Sequence, residues 1–240
     1  MPAAIPAELT APGKRRIETR GLPADNNHDP SNILFHEGEY HCWYTEHYAE
    51  EFDPFIDTRL RLMTSADGLA WRDRGVALSP GEVDQSPWDA RGVLTAYVVP
   101  WEGRFHLFYS AVPTGFEDPR RGEKHVSIAL AVADHPHGPW QRRGVVFEAS
   151  ENGWDSTHVD DANLIRFQGR WWLYYKGFTP EDRPTETRIG VATAGQLAGP
   201  YQRHPANPLG PGHALSAWKH RDGVAMVGGA NAEPVIFWST

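Results

Sequence analysis

Carboxyl groups occur immediately before apolar segments at three places in this 240-residue sequence. Asp29 precedes the first segment, Asp89 the second, and the adjacent pair Asp160 and Asp161 the third. Two carboxyl groups that flank a glycosidic bond can cleave it, because one protonates the leaving oxygen and the other activates water or attacks. An acid before a strand also caps turns, so the repetition, rather than any single acid, predicts a site of this kind.

Histidines occupy similar positions at His28, His158 and His213. His213 opens a fourth segment with no acid at its start, so it is a candidate proton donor or sugar contact. Glu233, in a later loop, is a candidate third acid.

Other candidates could bind a substrate, because aromatic faces stack on sugar rings and polar side chains bind their hydroxyls. Trp88 and Trp154 are the predicted pocket walls. The predicted substrate-binding residues are Trp88, Arg91, Trp154, His158, Lys176 and Trp218. No closely spaced metal-ligand motif of the usual kind is present, so no metal site and no required cofactor are predicted. A structural divalent cation is compatible with this composition.

The segments that carry these residues repeat at intervals of roughly sixty residues. Each unit contains an apolar inner strand, a turn at Gly38, Gly103 or Gly169, and an aromatic strand. Third strands follow at 58–65, 126–133 and 187–194, and fourth strands follow from Trp71, Trp140 and Tyr201. Four antiparallel strands per unit predict an all-β fold, a β-propeller whose inner strands line a central channel. The channel would bring together acids that are distant in sequence.

A fourth unit begins near His213, and the sequence ends partway through it. The last part of the ring is therefore predicted to be incomplete in this chain, or completed by the N-terminal segment or by a partner chain. Residues 28–240 are predicted to form one propeller catalytic domain, and residues 1–27 an extended N-terminal arm. The arm or an open propeller edge could support a homodimer.

The formal net charge of −8 gives no general attraction for nucleic acid or for acidic membranes. The single cysteine, Cys42, cannot form an internal disulfide and is interpreted as a small buried hydrophobic residue. No signal peptide and no membrane-spanning run is recognisable, so a soluble cytoplasmic protein is expected.

These motifs resemble the five-bladed propeller glycoside hydrolases, the broad group that includes family 43. The closer likeness is to family 117, exo-acting α-1,3-3,6-anhydro-L-galactosidases that act on neoagaro-oligosaccharides. The resemblance rests on His28-Asp29-Pro30-Ser31-Asn32, on Val159-Asp160-Asp161-Ala162-Asn163-Leu164 leading to Trp172-Leu173-Tyr174-Tyr175-Lys176-Gly177, and on Gly212-His213 followed by Ala217-Trp218.

The resemblance implies a role for each matching position. Asp29 looks like the general base of an inverting reaction. Asp161, or else Asp160, looks like the second carboxylate, which orients groups and tunes their protonation. His213 looks like the proposed proton donor, and Glu233 like the third acidic position. Asp89 would then contact the sugar.

The predicted function is hydrolysis of a terminal sugar from an oligosaccharide, exo-acting and inverting, with 3,6-anhydro-L-galactose as the sugar that the resemblance implies. A family 43 arabinofuranosidase or xylosidase and a non-catalytic sugar-binding propeller are alternatives. A propeller phosphorylase is another, with Arg91 and Lys176 as candidate phosphate contacts. An oligosaccharide is the predicted partner; nucleic acid and membrane are not.

Overall fold

Seventeen β-strands make up the regular structure of the described part of the chain, which contains no helix. The computed structural model describes residues 18–23, 27–51, 53, 55–116, 125–179, 186–229 and 235–239. The strands are β1 (Asn27–His28), β2 (Leu34–His36), β3 (Glu39–His47), β4 (Thr58–Ser65), β5 (Arg72–Leu78), β6 (Gly92–Trp101), β7 (Arg104–Val112), β8 (Ser127–Ala133), β9 (Gln141–Phe147), β10 (His158–Phe167), β11 (Arg170–Phe178), β12 (Arg188–Ala194), β13 (Gln202–Arg203), β14 (Gly210–Pro211), β15 (Ala214–His220), β16 (Gly223–Gly229) and β17 (Val235–Ser239).

The strands form four antiparallel units that follow one another along the chain. The first unit comprises β2–β5 with β1 added to β3, the second β6–β9, and the third β10–β13 with β14 paired to β12. The fourth unit has three described strands, β15–β17. A single parallel pair, Thr58 with Gly92, joins the first unit to the second. This arrangement confirms the predicted all-β propeller.

Two-residue turns connect the inner strand of each of the first three units to the next strand. Glu37, Glu102 and Gln168 have φ values of 48°, 50° and 50°, and each is followed by a glycine whose φ is also positive. Such turns match the right-handed twist of a hairpin and require left-handed backbone at both positions. The glycine turns recognised in the sequence are therefore hairpin turns.

The hydrophobic core is divided into layers between neighbouring units. On β7, Leu107 and Tyr109 belong to the layer shared with the first unit, whereas Phe108 faces the third unit. On β11, Leu173 and Tyr175 face the second unit, and Tyr174 faces the fourth. This alternation means that each middle sheet is buried on both faces, which explains the continuous burial of its strands.

A buried carboxylate, a tyrosine and an arginine recur in the second and third units. In the second unit, Asp89 Oδ2 accepts hydrogen bonds of 2.7 Å from the Tyr109 hydroxyl and 2.7 Å from Arg142 Nε. In the third unit, Asp155 Oδ2 accepts hydrogen bonds of 2.8 Å and 2.7 Å from the corresponding tyrosine and arginine, Tyr175 and Arg203. The triad links the loop before an inner strand to the second and fourth strands of the same unit.

This triad corrects the interpretation of Asp89 as a sugar contact. Asp89 is 0% exposed, and its carboxylate is held by Tyr109 and Arg142. A carboxylate enclosed in this way cannot reach a sugar in the channel, so its role is structural.

Part of the predicted N-terminal arm packs along the first unit. The Arg20 N–H donates to the Leu69 carbonyl at 2.8 Å, and Arg20 accepts from Trp71 N–H at 2.9 Å. Residues 1–17 and 24–26 lie outside the described residues. Among the described residues, no helix has the length and apolar character needed to cross a membrane.

Arg142→Met should lower the free energy of unfolding by about 3 kcal/mol, because the fully buried Asp89 would lose its cation. Arg104→Met is the matched control, since its partner Asp134 is 83% exposed, and it should change stability by less than about 1 kcal/mol. Urea unfolding of both variants measures the difference. Equal effects would contradict a stabilising role for the triad.

Candidate active site

A cavity of about 380 Å³ opens where the inner strands of all four units converge. Residues 29–32 line it just before β2, 95–97 within β6, 161–163 within β10, and 215–216 within β15. This volume lies in the lower part of the range for small-molecule sites. The convergence of the four inner strands makes this cavity the candidate active site.

Left-handed backbone recurs at the cavity in the first three units. Asp29, Thr95 and Asp161 have φ values of 50°, 47° and 53°. The pairing register of β6 shifts between Leu94 and Tyr97, and that of β10 shifts in the same way around Asp161. A bulge of this kind re-aims a side chain, and backbone strain at a β-branched residue such as Thr95 is typical of functional sites.

The second unit presents Thr95 where the first and third present carboxylates. Sequence reasoning missed Thr95 and chose Asp89, because Asp89 is the acid that precedes the apolar run. The spacing to the glycine turn contains the missing signal, since Thr95 and Asp161 each lie eight residues before it, at Gly103 and Gly169. Counting back eight residues from the turn therefore aligns Thr95 of the second unit with Asp161 of the third.

Asp29 lines the cavity, and its side chain is 47% exposed. His28 Nδ1 lies 2.5 Å from Asp29 Oδ2, close enough to fix the orientation of the carboxylate. The remaining exposure leaves room for water to approach. The Asp29 side chain is thus oriented by His28 and open to solvent.

The bulge separates the adjacent acids of the third unit. Asp161 lines the cavity, whereas the side chain of Asp160 is only 2% exposed and lies beside His158, with His158 Nε2 2.5 Å from Asp160 Oδ2. Lys176 Nζ lies 3.3 Å from Asp160 Oδ2 and 2.9 Å from Asp161 Oδ2. Asp160 and Lys176 are opposite one another in the register of β10 and β11, which places the ammonium group beside both acids.

The pKa values of Asp160 and Asp161 are shifted in opposite directions by their surroundings. Burial favours the neutral form of Asp160, but the charges of His158 and Lys176 outweigh burial and hold the Asp160 pKa below its ordinary range. Burial raises the pKa of Asp161, the Asp160 and Asp29 charges raise it further, and Lys176 opposes them. Burial would lower the pKa of Lys176, but the two acids outweigh burial and raise it.

His213 lies just before β15, and its backbone N–H donates to the Gly229 carbonyl at 2.9 Å. The Lys176 charge, followed by burial, lowers the pKa of His213, while the Asp160 and Asp29 charges oppose this shift. These interactions place His213 within electrostatic reach of the site. The lowered pKa favours a neutral imidazole near pH 7.

Two asparagines fix the cavity wall by binding the next unit. Asn32 Nδ2 donates to the Val98 carbonyl at 2.9 Å, and Asn32 Oδ1 accepts from Val98 N–H at 2.8 Å. Asn163 Oδ1 accepts from Ala217 N–H at 3.4 Å. No lysine or arginine is among the described residues that line the cavity, so its wall combines apolar side chains with the Asp29 and Asp161 carboxyl groups and carries no cation.

The predicted pocket walls lie elsewhere in the structure. Trp88 packs against the layer between the first and second units, and Trp154 stacks on Tyr175 with ring centroids 5.6 Å apart. Arg91 is exposed and Trp218 is half-buried, and neither lines the cavity. Neither Trp88 nor Trp154 lines this cavity, although Trp88 lines a separate pocket between Pro87 and Glu148. Glu233 lies outside the described residues.

Comparison with known families identifies a match over most of the units described above. The family "Glycosyl hydrolases family 32 N-terminal domain" matches residues 23–181. This range contains Asp29 and Asp161 but not His213. The sequence motifs indicate the same broad class, the propeller glycoside hydrolases, but not family 32.

Curated relatives match only part of their own length. A probable sucrose-6-phosphate hydrolase of Vibrio cholerae is 28% identical over 150 residues, which cover 60% of this chain and 24% of that protein. A raffinose invertase of Escherichia coli is 25% identical over 153 residues, 63% of this chain and 30% of that protein. The matched part of the chain therefore spans less than a third of the length of these relatives.

Solved structures share the fold. A family 117 glycoside hydrolase produced by the marine bacterium Zobellia galactanivorans has a TM-score of 0.78 and 24% identity, over 94% of this chain and 71% of that one. Fructan 1-exohydrolase IIa from Cichorium intybus has a TM-score of 0.68 and 15% identity, over 94% of this chain and 44% of that one. At these identities the likeness concerns the fold alone.

At pH values above about 4, the ordinary pKa of a carboxyl group, Asp161→Asn should have a higher free energy of unfolding than the wild type. The expected difference is about 1 kcal/mol or more. The wild type loses stability as pH rises from about 4 to about 7, because the pKa of Asp161 is raised to about 7 in the folded protein. The unfolded chain therefore releases this proton more readily than the folded protein does. The amide variant avoids that loss. Urea unfolding from pH 4 to pH 8 measures it.

Ser216→Ala, at a neutral position of the same cavity, is the control and should follow the wild-type pH profile. If the difference in free energy of unfolding between Asp161→Asn and the wild type stays constant from pH 4 to pH 8, the pKa of Asp161 is not raised.

Proposed function

The chain belongs to the glycosyl hydrolase family 32 N-terminal domain family, and on that premise we propose that it hydrolyses the glycosidic bond of a terminal sugar bound in the central cavity. The observation that carries the proposal is that Asp29 and Asp161, from the first and third units, line one cavity. Paired carboxyl groups in a concave site are what glycoside hydrolysis requires.

Asp29 is proposed as the general base that activates water in an inverting reaction. Its carboxylate is oriented by His28 and is 47% exposed, which supports access by water. Inversion requires space for a water molecule between the carboxylate and the sugar.

Asp161 is proposed as the proton donor, because its raised pKa keeps part of the population protonated near neutral pH. Asp160, held ionised by Lys176 and His158, contributes to that shift through its charge. His213 is the competing donor implied by the family 117 resemblance. Its lowered pKa makes it a poor acid at neutral pH, so we propose that it binds a sugar hydroxyl.

A neutral sugar suits this cavity better than a phosphorylated one. Phosphate recognition normally uses Arg or Lys, and no such residue is among the described lining residues. Lys176 is already engaged by two carboxylates, and Arg91 does not line the cavity. These observations argue against a phosphorylase and against a sugar phosphate as substrate.

We propose terminal 3,6-anhydro-L-galactose as the first sugar to test, because the fourth unit starts with His213 rather than an acid, one of the features behind the family 117 resemblance. A β-fructofuranoside is the second candidate. It is favoured by the family 32 match, which contains both cavity carboxylates.

Wild-type protein should hydrolyse neoagarobiose or, on the second candidate, sucrose or raffinose, with NMR showing the inverted anomer as the first product. Asp29→Asn should lower kcat/KM by about 10³-fold, since it removes the base without changing side-chain size. Arg104→Met, which removes only a surface ion pair with the exposed Asp134, is the control and should retain wild-type activity. Aryl arabinofuranosides and xylosides complete the substrate panel.

A retained anomer would overturn Asp29 as a base. If no substrate is cleaved while calorimetry shows equal sugar binding by the wild type and Asp29→Asn, the protein is a sugar-binding propeller rather than an enzyme.

The proton donor can be identified by changing the leaving group. Asp161→Asn should lower kcat/KM by about 10²-fold or more on the natural substrate. The decrease should be much smaller on a dinitrophenyl glycoside, because its leaving group needs no proton. His213→Gln should lose similar activity on both substrates, because a hydroxyl contact serves each equally. Steady-state kinetics on the two substrates measures the ratio, and the reverse pattern would make His213 the donor.

A further inference from the structure

Four histidines and two glutamates cluster where the first unit meets the second, away from the central cavity. They form two groups, His36-Glu37-His135 and Glu39-His41-His137, and the potential ligand atoms in each group lie within 4.8 Å of one another. The first pair of each group comes from the β2–β3 hairpin, and the last residue comes from the loop between β8 and β9. Residues from two separate units therefore meet in each group.

The imidazole rings pack in a closed arrangement. Ring centroids are 5.9 Å apart for His36 and His135, 5.3 Å for His41 and His137, and 5.1 Å for His135 and His137. A fourth contact, between His36 and His41, is 6.4 Å. Imidazole is a preferred ligand of Zn²⁺, Ni²⁺ and Cu²⁺, whereas Mg²⁺ and Ca²⁺ prefer oxygen.

We propose that His36, Glu37 and His135 bind a divalent transition-metal ion of the Zn²⁺ class, which links the β2–β3 turn of the first unit to the β8–β9 loop of the second. Glu37 lies between the two histidines, with Oε1 3.6 Å from His36 Nε2 and Oε2 3.8 Å from His135 Nε2. Small side-chain rotations would bring these atoms to metal-ligand distances of about 2.0–2.2 Å. An open fourth position would remain for water or His137.

The first group is the better site because the second already has a cationic partner. Arg74 Nη2 lies 3.1 Å from Glu39 Oε1, so a metal ion there would meet an existing positive charge. His41 Nδ1 lies 3.2 Å from the Glu39 carbonyl. A hydrogen bond to that carbonyl leaves Nε2 as the acceptor nitrogen, as in a metal-ligating histidine, so the charge of Arg74 is the feature that disfavours the second group.

Metal binding has one local cost. His135 Nδ1 lies 3.2 Å from the His137 backbone N–H. Coordination through His135 Nε2 puts a proton on Nδ1, so this weak contact would open. The site is structural in this proposal, because Asp29 precedes β2 and the cluster follows β2 at its other end.

The test is Zn²⁺ binding by the chelator-stripped 240-residue chain, followed by calorimetry and by equilibrium dialysis with metal analysis. Wild type should bind one Zn²⁺ per chain, with no comparable binding of Mg²⁺, and its melting temperature should rise with Zn²⁺ and return to the starting value with EDTA. His36→Gln/His135→Gln should bind Zn²⁺ at least tenfold more weakly and lose the melting-temperature rise. His204→Gln, at a histidine on the third unit, is the matched control and should behave as wild type.

His137→Gln, at an exposed position, separates the two groups. A smaller loss of affinity than in His36→Gln/His135→Gln supports the assigned ligands, and a larger loss overturns them. Wild type that binds no Zn²⁺, or a double variant that binds it as tightly as wild type, overturns the proposal. Circular dichroism of each variant before metal addition checks that a loss of binding is not a loss of folding.

Discussion

The ammonium group of Lys176 stabilises the two adjacent acids of the candidate site. Two adjacent carboxylates at the start of β10 would repel one another in a poorly hydrated interior, yet Lys176 lies within 3.3 Å of Asp160 and 2.9 Å of Asp161. The lysine is placed by its pairing opposite Asp160 in the β10–β11 hairpin. Its single charge stabilises Asp160 as a carboxylate and only partly offsets the burial and repulsion that Asp161 experiences.

The cavity exists only when the units pack against one another. Each hydrophobic layer combines side chains from two adjacent units, and Asn32 and Asn163 bind the inner strand of the next unit. The geometry of the carboxyl groups therefore depends on contacts between units rather than within one hairpin. The family 32 match spans both carboxylates, and His213 is supplied by the part of the chain that follows.

Much of the fold could be predicted from the sequence, because its strongest signals are local. The Gly turns and the alternating aromatic strands identify the hairpins, and strand β4 was predicted with its observed bounds, 58–65. Asp29 and Asp161, which line the cavity, were also among the predicted residues. These features need only backbone turn preferences and a period of two.

The directions of individual side chains could not be predicted. One bulge decides that Asp161 faces the cavity and Asp160 the interior, and a shift of one residue exchanges the two faces of a strand. Asp89 was misassigned because a buried carboxylate held by Tyr109 and Arg142 has the same local sequence context as an active-site acid. The arginine partner lies 53 residues away in sequence, so only the folded chain reveals the pair.

Thr95 breaks the rotational equivalence of the channel. It shares the left-handed backbone of Asp29 and Asp161, but its hydroxyl is bound to Ser110 and carries no charge. A sugar in the channel would therefore meet carboxyl groups on two sides and an uncharged hydroxyl between them. This asymmetry would give a ligand a preferred orientation about the propeller axis, so that one bond of the ring, and not its neighbours, faces the acids.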